Sequence, residues 1–474
     1  YPQKLKLYIY QFVKANHKHK KNISMKKLFL LAAFSVLFIS TSITAQQKRT
    51  ITLNEAIQLA LENNYQLKQA ENNLDLAEYR IISEKADFLP SISSSAGYST
   101  QTGQQFVQET LSFTDVTSSG ANGRISASVP IFTGFSNILT LRSSERNKLS
   151  NEETLKRAKE NIIFETATRF LTVLLNKQQL EDAKESLETS NKLLEQTKAQ
   201  VEVGSRPSVD LYNQEATVAN DEFTVTQREN ALKLSKLQLI RSLQIDPLQD
   251  YEFAVPDFDP ETAKNSVSVS QDVNSLVEQA LLNRSDIRSS EFNIESLEYQ
   301  LQISKGSLLP TLSGSASISS SYSDQDPRGD FSEQFFDQRV NKSLGLSLNL
   351  PIFNNWNRMT QIQSAQVNLK NAELGLENTK LQVIQEITQA LNDYSSYSSQ
   401  LKAAEKSLIA SEKAFETQQE RYNVGASTLI ELSQAQTQYF NAQSARTSAL
   451  YNLIFQEKLL DYYVGKLSGD DIDF

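Results

Sequence analysis

The chain has 474 residues, a formal net charge of −9 and 39% hydrophobic residues, but only 14 glycines and 10 prolines. It has no cysteine and two histidines, His17 and His19. Disulfides, thiolate metal sites and cysteine nucleophiles are therefore excluded, and a histidine-dependent metal or catalytic site is not expected. The scarcity of turn-forming residues predicts long, uninterrupted elements of secondary structure.

The first 45 residues have the pattern of an export signal. Met25 is followed by two lysines, an apolar run and small residues that end at Ala45, which matches the regions of a secretory signal peptide. We expect Met25 to be the true start, residues 1–24 to be a non-native upstream segment, and residues 25–45 to be the signal peptide. A short membrane anchor is the alternative, although the run is shorter than the roughly 20 residues that a spanning helix needs.

Removal of this signal would make the protein strongly acidic. Residues 1–45 hold eight lysines and no acidic residue, so the remaining chain carries a net charge of −17. An acidic exported protein is a poor candidate for binding nucleic acid.

Most of the remaining chain has apolar residues at three- and four-residue spacing, which predicts amphipathic helices. One of these segments, 137–203, contains neither glycine nor proline. A helix of its length extends for about 100 Å at 1.5 Å per residue. The predicted helical segments are 53–88, 137–203, 207–245, 273–308, 356–422 and 426–463.

Four shorter stretches alternate between apolar and small polar residues. They lie at 92–98, 125–131, 312–322 and 344–352. Such segments, apolar outward and polar inward, are the sequence signature of a membrane β-barrel. Two soluble hairpins packed on a core are the alternative. We expect the polar segments 101–122 and 323–342 to form long exposed loops.

Four strands are too few to close a barrel, because the smallest membrane barrels use about eight. An open sheet edge in lipid would leave backbone groups unpaired, at several kcal/mol each. The pattern therefore predicts an obligate oligomer.

The chain also repeats itself. A shift of 220 positions places Ala60 on Ala280, and a shift of 221 places Val203-Gly204-Ser205 on Val424-Gly425-Ala426. A copy at this period indicates two equivalent halves. We expect a first repeat over 46–250, a connecting segment at mid-height over 251–272, a second repeat over 273–465 and a tail over 466–474.

These paired motifs resemble the TolC family of outer-membrane efflux proteins. The resemblance rests on Leu-Pro at the end of the first helix of each half, on Pro-Ile-Phe at 130–132 and 351–353, and on Val203-Gly204 and Val424-Gly425 with the acidic residues that follow. It extends over 51–465.

The resemblance implies a mainly α fold with a membrane β-barrel part. Long antiparallel coiled-coil helices would form a periplasmic tunnel, and a homotrimer would share one twelve-stranded barrel. It also implies a passive duct in the outer membrane of a Gram-negative bacterium, extending into the periplasm. The duct would work with a periplasmic adaptor and an inner-membrane RND or ABC pump, in a tripartite efflux or type I secretion system. No cofactor is implied.

The turns between the long helices are the first candidate site. Glycine accepts the positive φ that a helix end usually needs, so turn geometry alone is one explanation for Gly204 and Gly425. The resemblance implies a second, in which the turns dock the adaptor. The docking residues would be Gly204, Ser205, Arg206, Gly425, Ala426 and Ser427. Arg206 occupies the family's tip-arginine position, whereas the second half has Ser427, so a gating ion pair is expected for one turn only.

The residues near the turns suggest an entrance that selects by charge. In relatives, acids at the positions of Asp210 and Glu431 form a ring, and a carboxylate ring favours cation entry. An acid that stabilises a helix N-terminus is the alternative. Tyr422 is expected either to constrict the entrance or to pack between helices.

Aromatic residues follow the ends of two strands. Phe132, Phe135, Phe353 and Trp356 lie just beyond Pro130 and Pro351, and we expect them to form an interfacial girdle. Core packing at the junction between sheet and helix is the alternative.

No group of residues suggests catalysis, so an enzyme is not expected. Two other classes stay open: a non-conducting structural coiled-coil protein of the envelope, and a stand-alone diffusion porin. The exported substrate is not identified by the sequence.

Overall fold

The computed structural model describes residues 49–107, 111–254, 272–326 and 329–466. The predicted upstream segment, the signal peptide, most of the connecting segment and the tail beyond Lys466 lie outside these residues. The described residues divide into two units, a small one with 49–51 and 248–252 and a large one with 52–247 and the described residues from 253 onward.

The elements of the first half are followed by a similar succession in the second half. The first half contains β1 (Arg49–Ile51), α1 (Leu53–Asn63), α2 (Tyr65–Ala86), β2 (Ser91–Val107), β3 (Ser112–Phe132), α3 (Ser136–Glu202) and α4 (Ser208–Leu243). The second contains β4 (Tyr251–Phe253), α5 (Val273–Asn283), α6 (Ser285–Gly306), β5 (Thr311–Ser323), α7 (Phe331–Glu333) with a π-helical turn (Gln334–Gln338), β6 (Asn341–Asn349), α8 (Asn357–Asn423) and α9 (Leu429–Tyr463). The long helices α3 and α8 both have 67 residues.

In the smaller unit, the described residues include β1 and most of β4. These two short strands pair in a two-stranded sheet.

Two of the predicted helices are each broken once. Segment 53–88 divides at Asn64, whose extended backbone ends α1 and whose side chain accepts the Gln66 and Leu67 amides to begin α2. Segment 273–308 divides at Arg284, whose backbone is also extended but whose side chain makes no cap. The prediction of one continuous helix was wrong in both places. At Asn64 the reason is local, because an asparagine side chain caps a new helix better than it supports a helix interior.

The four longer strands form one antiparallel sheet in the order β2-β3-β5-β6. A row of serines crosses all four strands, since Ser126 pairs with Ser93 and Ser317, and Ser317 pairs with Ser343. The next row, on the opposite face, is Ile92, Ala127, Ala316 and Leu344. The alternation in the sequence therefore produces one polar and one apolar face.

The extent of the first hairpin differs from the prediction. Strands β2 and β3 stay paired as far as Val107 and Ser112, so segment 101–122 is mostly strand rather than loop. Thr100 and Ser119, and then Thr102 and Thr117, join their side-chain oxygens across the pair, and such cross-strand pairs stabilise a polar ribbon. The prediction for 323–342 is closer, because β5 ends at Ser323 and β6 begins at Asn341.

The helices of the larger unit pack around several separate apolar clusters. One joins α5, α6 and α8 through Leu276, Ile287, Val383 and Ile387. A second joins α8 and α9 through Leu401, Leu450 and Leu453. Within the described residues, no helix combines the length and the apolar character required to cross a membrane.

Candidate functional site

The turn between α3 and α4 closes with a left-handed glycine. Gly204 has a φ of +74°, its amide donates to the Val201 carbonyl at 3.0 Å, and the Ser205 amide donates to the Gln200 carbonyl at 2.9 Å. This is the Schellman pattern that terminates a helix.

The turn between α8 and α9 repeats this geometry. Gly425 has a φ of +78°, its amide donates to the Tyr422 carbonyl at 3.1 Å, and the Ala426 amide donates to the Arg421 carbonyl at 2.8 Å. No atom lies within 4 Å of a Cβ built on either Gly204 or Gly425. The positive φ rather than crowding therefore explains why glycine occupies both positions. This is what the turn-geometry interpretation predicts.

The two turns differ in how the returning helix begins. Thr428 and Glu431 form a capping box at the start of α9, in which each side chain accepts the other residue's amide. At the start of α4, Pro207 is the N-cap and no side-chain cap is present. The Thr428 amide and the Ser427 hydroxyl, both bonded to the Glu431 carboxylate, lower the pKa of Glu431.

The first turn contacts the second through one arginine. The Arg206 guanidinium lies 4.3 Å from the centre of the Tyr422 ring. It donates to the Tyr422 carbonyl at 3.1 Å and to the Ser427 carbonyl at 3.4 Å. In this chain, Arg206 is therefore bonded to carbonyl oxygens and a ring rather than to the carboxylate of an ion pair. Beside it, Gln196 donates to the Asn423 side chain at 2.7 Å.

Tyr422 is fully buried between the helices. It packs with Leu193, Leu429, Leu432 and Phe415, and its hydroxyl lies 3.3 Å from the Thr197 hydroxyl. These contacts match the interhelix-packing alternative for Tyr422, and a role in constricting the entrance stays a prediction.

The two candidate entrance acids have different surroundings. Asp210 lies half-buried in the first turn of α4. Glu431 is exposed in the first turn of α9, and one of its oxygens is engaged by the capping box. The interpretation as an acid that stabilises a helix start is supported for Glu431 by its bond to the Thr428 amide. For Asp210 it rests only on the position of the residue in the first turn of α4.

The expected girdle residues lie where the sheet gives way to the long helices. Phe135 and Trp356 are the N-caps of α3 and α8, with φ of +69° and +66°, and Phe132 packs edge-on against Phe135 at 5.2 Å. Phe353 and Trp356 are 75% and 68% exposed. Two bulky residues at positive φ are uncommon, and they leave their rings on the surface of the protein.

A second aromatic group, which the sequence analysis missed, lies toward the opposite end of the strands. Tyr322, Phe331, Phe335 and Phe336 form a connected ring cluster, and Phe335 covers Gly123 on the apolar face. The nine residues from Gly123 to Ile131 extend for about 27 Å along a strand. At the tilt of about 35–45° that membrane strands have, this length covers about 19–22 Å of the apolar band, which is about 25 Å tall between its aromatic girdles. Three phenylalanines within 331–336 were the available signal.

The comparisons with known proteins agree with this geometry. The family model described as outer membrane efflux protein matches residues 56–243 and 276–466, most of the chain. The chain belongs to the outer membrane efflux protein family. Similar relatives include the outer membrane protein TolC of Escherichia coli K12, 23% identical over 94% of this chain and 88% of its own. The pyoverdine export outer membrane protein OpmQ of Pseudomonas aeruginosa is 23% identical over 83% and 80%.

Solved structures share the fold of this efflux protein. The Campylobacter jejuni CmeC outer membrane channel matches with a TM-score of 0.77 at 19% identity, covering 87% of this chain and 85% of that one. The Vibrio cholerae outer membrane protein VceC matches with a TM-score of 0.73 at 18% identity, covering 87% and 96%.

The predicted family, the mainly α fold with strands, the outer-membrane location reaching into the periplasm and the channel function in efflux are confirmed. The chain is an outer-membrane channel component of an efflux system.

Proposed function

We propose that three copies of this chain form a passive duct, which receives its cargo from a periplasmic adaptor and an inner-membrane pump. The observation that carries the proposal is the sheet. Its outermost strands, β2 and β6, end an array of four strands with one apolar face, and such an array in lipid needs further strands to close. Three copies supply twelve strands, enough to enclose a water-filled lumen.

The experiment is a measurement of mass and conductance on the same preparation. Light scattering of the detergent-solubilised protein should give three chains per particle, and planar bilayers should show steady ohmic pores. A trimer without conductance would contradict the duct and favour the structural coiled-coil protein. A conducting barrel that works in cells without any adaptor would favour the diffusion porin.

The two repeats, 46–250 and 273–465, would contribute equivalent parts of each wall, with segment 251–272 connecting them. The duct would need no catalysis, because the pump supplies the energy and the family's function is a channel. Residues 25–45 would direct export and then be removed.

The exposed turns would be the docking surface for the adaptor. Val203 and Val424, beside the two glycines, are 79% and 80% exposed, so apolar surface is presented at both turns. Photo-crosslinking probes at Ser205 and Ala426 should capture one periplasmic protein in cells. A probe at Glu222, exposed on α4 away from the turn, is the matched control. Equal capture from all three positions would contradict docking at the turns.

The acids next to the turns would favour cations at the entrance. Asp210→Asn with Glu431→Gln removes both charges, while glutamine preserves a capping box. The double variant should have lower cation selectivity, measured as a smaller reversal potential in a salt gradient. The two single variants show how much the half-buried Asp210 and the capping-box Glu431 each contribute to the selectivity. An unchanged reversal potential in the double variant would exclude a carboxylate ring.

Arg206 would hold the two turns of one copy together in the narrow state. Arg206→Ala should raise the single-channel conductance, whereas Arg421→Ala, in the neighbouring turn, should raise it less. Arg421 donates within its own hairpin, to the Ala426 carbonyl at 3.1 Å and to the Gln418 side chain at 3.4 Å. Equal conductance of both variants and the unmodified protein would exclude this role.

A further inference from the structure

Helix α6 is fixed on α3 by small polar pairs at regular spacing. The Ser143 and Ser296 hydroxyls lie 2.9 Å apart, and the Ser150 and Ser289 hydroxyls lie 3.0 Å apart. The Ser285 hydroxyl donates to Glu160 at 3.0 Å. Ser143, Ser296, Ser285 and Glu160 are all buried. The two helices therefore share one antiparallel seam.

The internal repeat has a second set of these positions. Shifted by 221, Ser143, Ser150 and Glu160 of α3 become Ser364, Asn371 and Leu381 of α8. Shifted by 220 in the opposite direction, Ser296, Ser289 and Ser285 of α6 become Leu76, Gln69 and Tyr65 of α2. All six equivalent residues are exposed in the single chain, among them Leu76 at 68% and Leu381 at 66%.

Within one chain, α2 does not cover this face of α8. Its own contacts are with α3, where Glu78 pairs with Lys148 at 3.1 Å. Near its start, Asn63 donates to the Leu243 carbonyl of α4. Between α3 and α8 lies α6, with Arg284 at its start bonded to Glu386 of α8 at 2.8 Å. Among the described residues, no segment of the chain covers Ser364, Asn371 and Leu381, so this face of α8 is available to a second copy.

A groove marks the same position on α8. It has a volume of about 520 Å³ and is lined by Asn378, Leu381 and Gln382 of α8, with Gln456 and Tyr463 of α9. Shifted by 221, these α8 residues correspond to Arg157, Glu160 and Asn161 of α3. Arg157 and Glu160 contact the α5–α6 junction in this chain, at Asp286 and Ser285.

We infer that the α1–α2 junction of one copy binds in the α8–α9 groove of the next copy, in a fixed register. Gln69 then faces Asn371, Leu76 faces Ser364 and Tyr65 packs on Leu381. The inference rests on the proposed oligomer and specifies its interface. Because the two surfaces differ, the contact is head-to-tail, and such contacts form a ring where the rotation between copies closes, as the proposed trimer requires.

The chemistry of this second seam differs from that of the first. Inside the chain the junction is ionic, with Arg284 between Asp286 and Glu386 and with Arg157 beside Glu160. Between copies, the equivalents of Arg284, Asp286, Arg157 and Glu160 are Asn64, Gln66, Asn378 and Leu381, none of them charged. At these positions the seam between copies therefore depends on apolar and amide contacts, and the carboxylates in the groove are Asp393 and Glu386, which is bonded to Arg284 of its own chain.

At one end, the seam between copies cannot have the same close backbone contact as the seam within the chain. A Cβ at Gly134 would lie 2.5 Å from the Gly306 carbonyl oxygen, so the backbones touch where α6 ends. The equivalent residues are Asn355 and Ala86, which carry side chains. The seam between copies must be wider there, and the test is best made near the junction.

The test is disulfide crosslinking in the full chain, which has no cysteine of its own. Gln69→Cys with Asn371→Cys should give, on oxidation in membranes, covalent species up to the complete ring on non-reducing gels. Co-expression of the two single variants should give dimers only. Gln69→Cys with Asn378→Cys, one heptad further along α8, is the matched control and should not crosslink.

A second control separates the register from the oligomer. Ser150→Cys with Ser289→Cys should bond within one chain, without forming larger covalent species. If that pair bonds and the native particle has the mass of an oligomer, but the Gln69 and Asn371 pair stays reduced, the register is wrong and the duct stands. If the native particle is a single chain, the proposed duct and this interface both fail.

Discussion

The two halves of the chain have the same backbone geometry at two pairs of equivalent positions, but the side chains at these positions differ. At the turns, Gly204 and Gly425 have φ values of +74° and +78°, yet Arg206 reaches across to the second turn while its counterpart is Ser427. At the helix junctions, Asn64 caps α2 through its own side chain, whereas Arg284 is buried among carboxylates. Duplication has preserved the backbone geometry. At each pair of equivalent positions, however, the contacts that join the two halves are made mainly by the residue of one half.

The largest expected difference is at the junctions. Arg284→Ala would leave Glu386 partly buried without its cationic partner and Asp286 with only the more distant Arg157, and breaking a buried pair destabilises by about 3–5 kcal/mol. Asn64→Ala removes only a cap, at about 1 kcal/mol. Helix melting in detergent, followed by circular dichroism, should show a much larger fall in midpoint for Arg284→Ala.

Arg284→Ala with Glu386→Ala is the matched double variant. It should recover part of the loss, because it removes the carboxylate left unpaired. Equal midpoints for the Asn64 and Arg284 variants would mean that the ionic junction has no larger role than the capped one.

The next largest effect tests the left-handed backbone conformation that the two turns have in common. An alanine at Gly204 or Gly425 would be forced into a left-handed conformation, at about 1–2 kcal/mol. Because neither site is crowded, the two variants should lower the melting midpoint equally. Ser205→Ala, next to the first glycine, serves as the control and should change it less. Unequal losses at the two glycines would show that a contact other than the turn conformation distinguishes them.

The sequence was sufficient for the elements whose cause is local. The 67-residue length of α3 follows from the absence of glycine and proline, and the two faces of the sheet follow from residues such as Ile125 and Ser126 in alternation. Arg206 was recognised from its position, but not its carbonyl partners, which depend on how two turns 220 residues apart are packed. The break at Arg284 was missed for the same reason, since its partner Glu386 lies on another helix.

A smaller effect concerns the helix starts after the turns. Thr428→Ala removes the hydroxyl that accepts the Glu431 amide at 3.2 Å, at about 1 kcal/mol. Pro207→Ala, at the equivalent start of α4, removes no side-chain cap and costs only the proline's restriction of the unfolded chain, about 0.4–1 kcal/mol, so it should lower the midpoint less. Thr428→Ser retains the hydroxyl and should restore the stability. A loss at Pro207 as large as that at Thr428 would remove the distinction between the two starts.

The smallest effect is a dependence on pH at a position of α3 whose counterpart in α8 has no ionisable side chain. Burial raises the pKa of Asp182, against the opposing bonds from Gln178 and Thr447, and the nearby Glu185 and Glu181 raise it further. The equivalent residue in α8 is Ala403. Because the folded state holds the Asp182 proton more tightly than the unfolded state does, this group stabilises the fold at low pH. The stability is lost as the pH rises through the raised pKa.

Asp182→Asn should therefore melt higher than the unmodified protein at pH 7, because asparagine can keep the hydrogen bonds without the charge. The difference should vanish below the ordinary pKa of 3.8. Ala403→Asn, at the repeat-equivalent position, is the control. The difference between its melting midpoint and that of the unmodified protein should not change with pH. The other acids titrate alike in all three proteins, so the difference between variants isolates Asp182. A difference that stays constant from pH 3.5 to 7 would mean that Asp182 is not more easily protonated in the fold, and that the two long helices respond alike to acid.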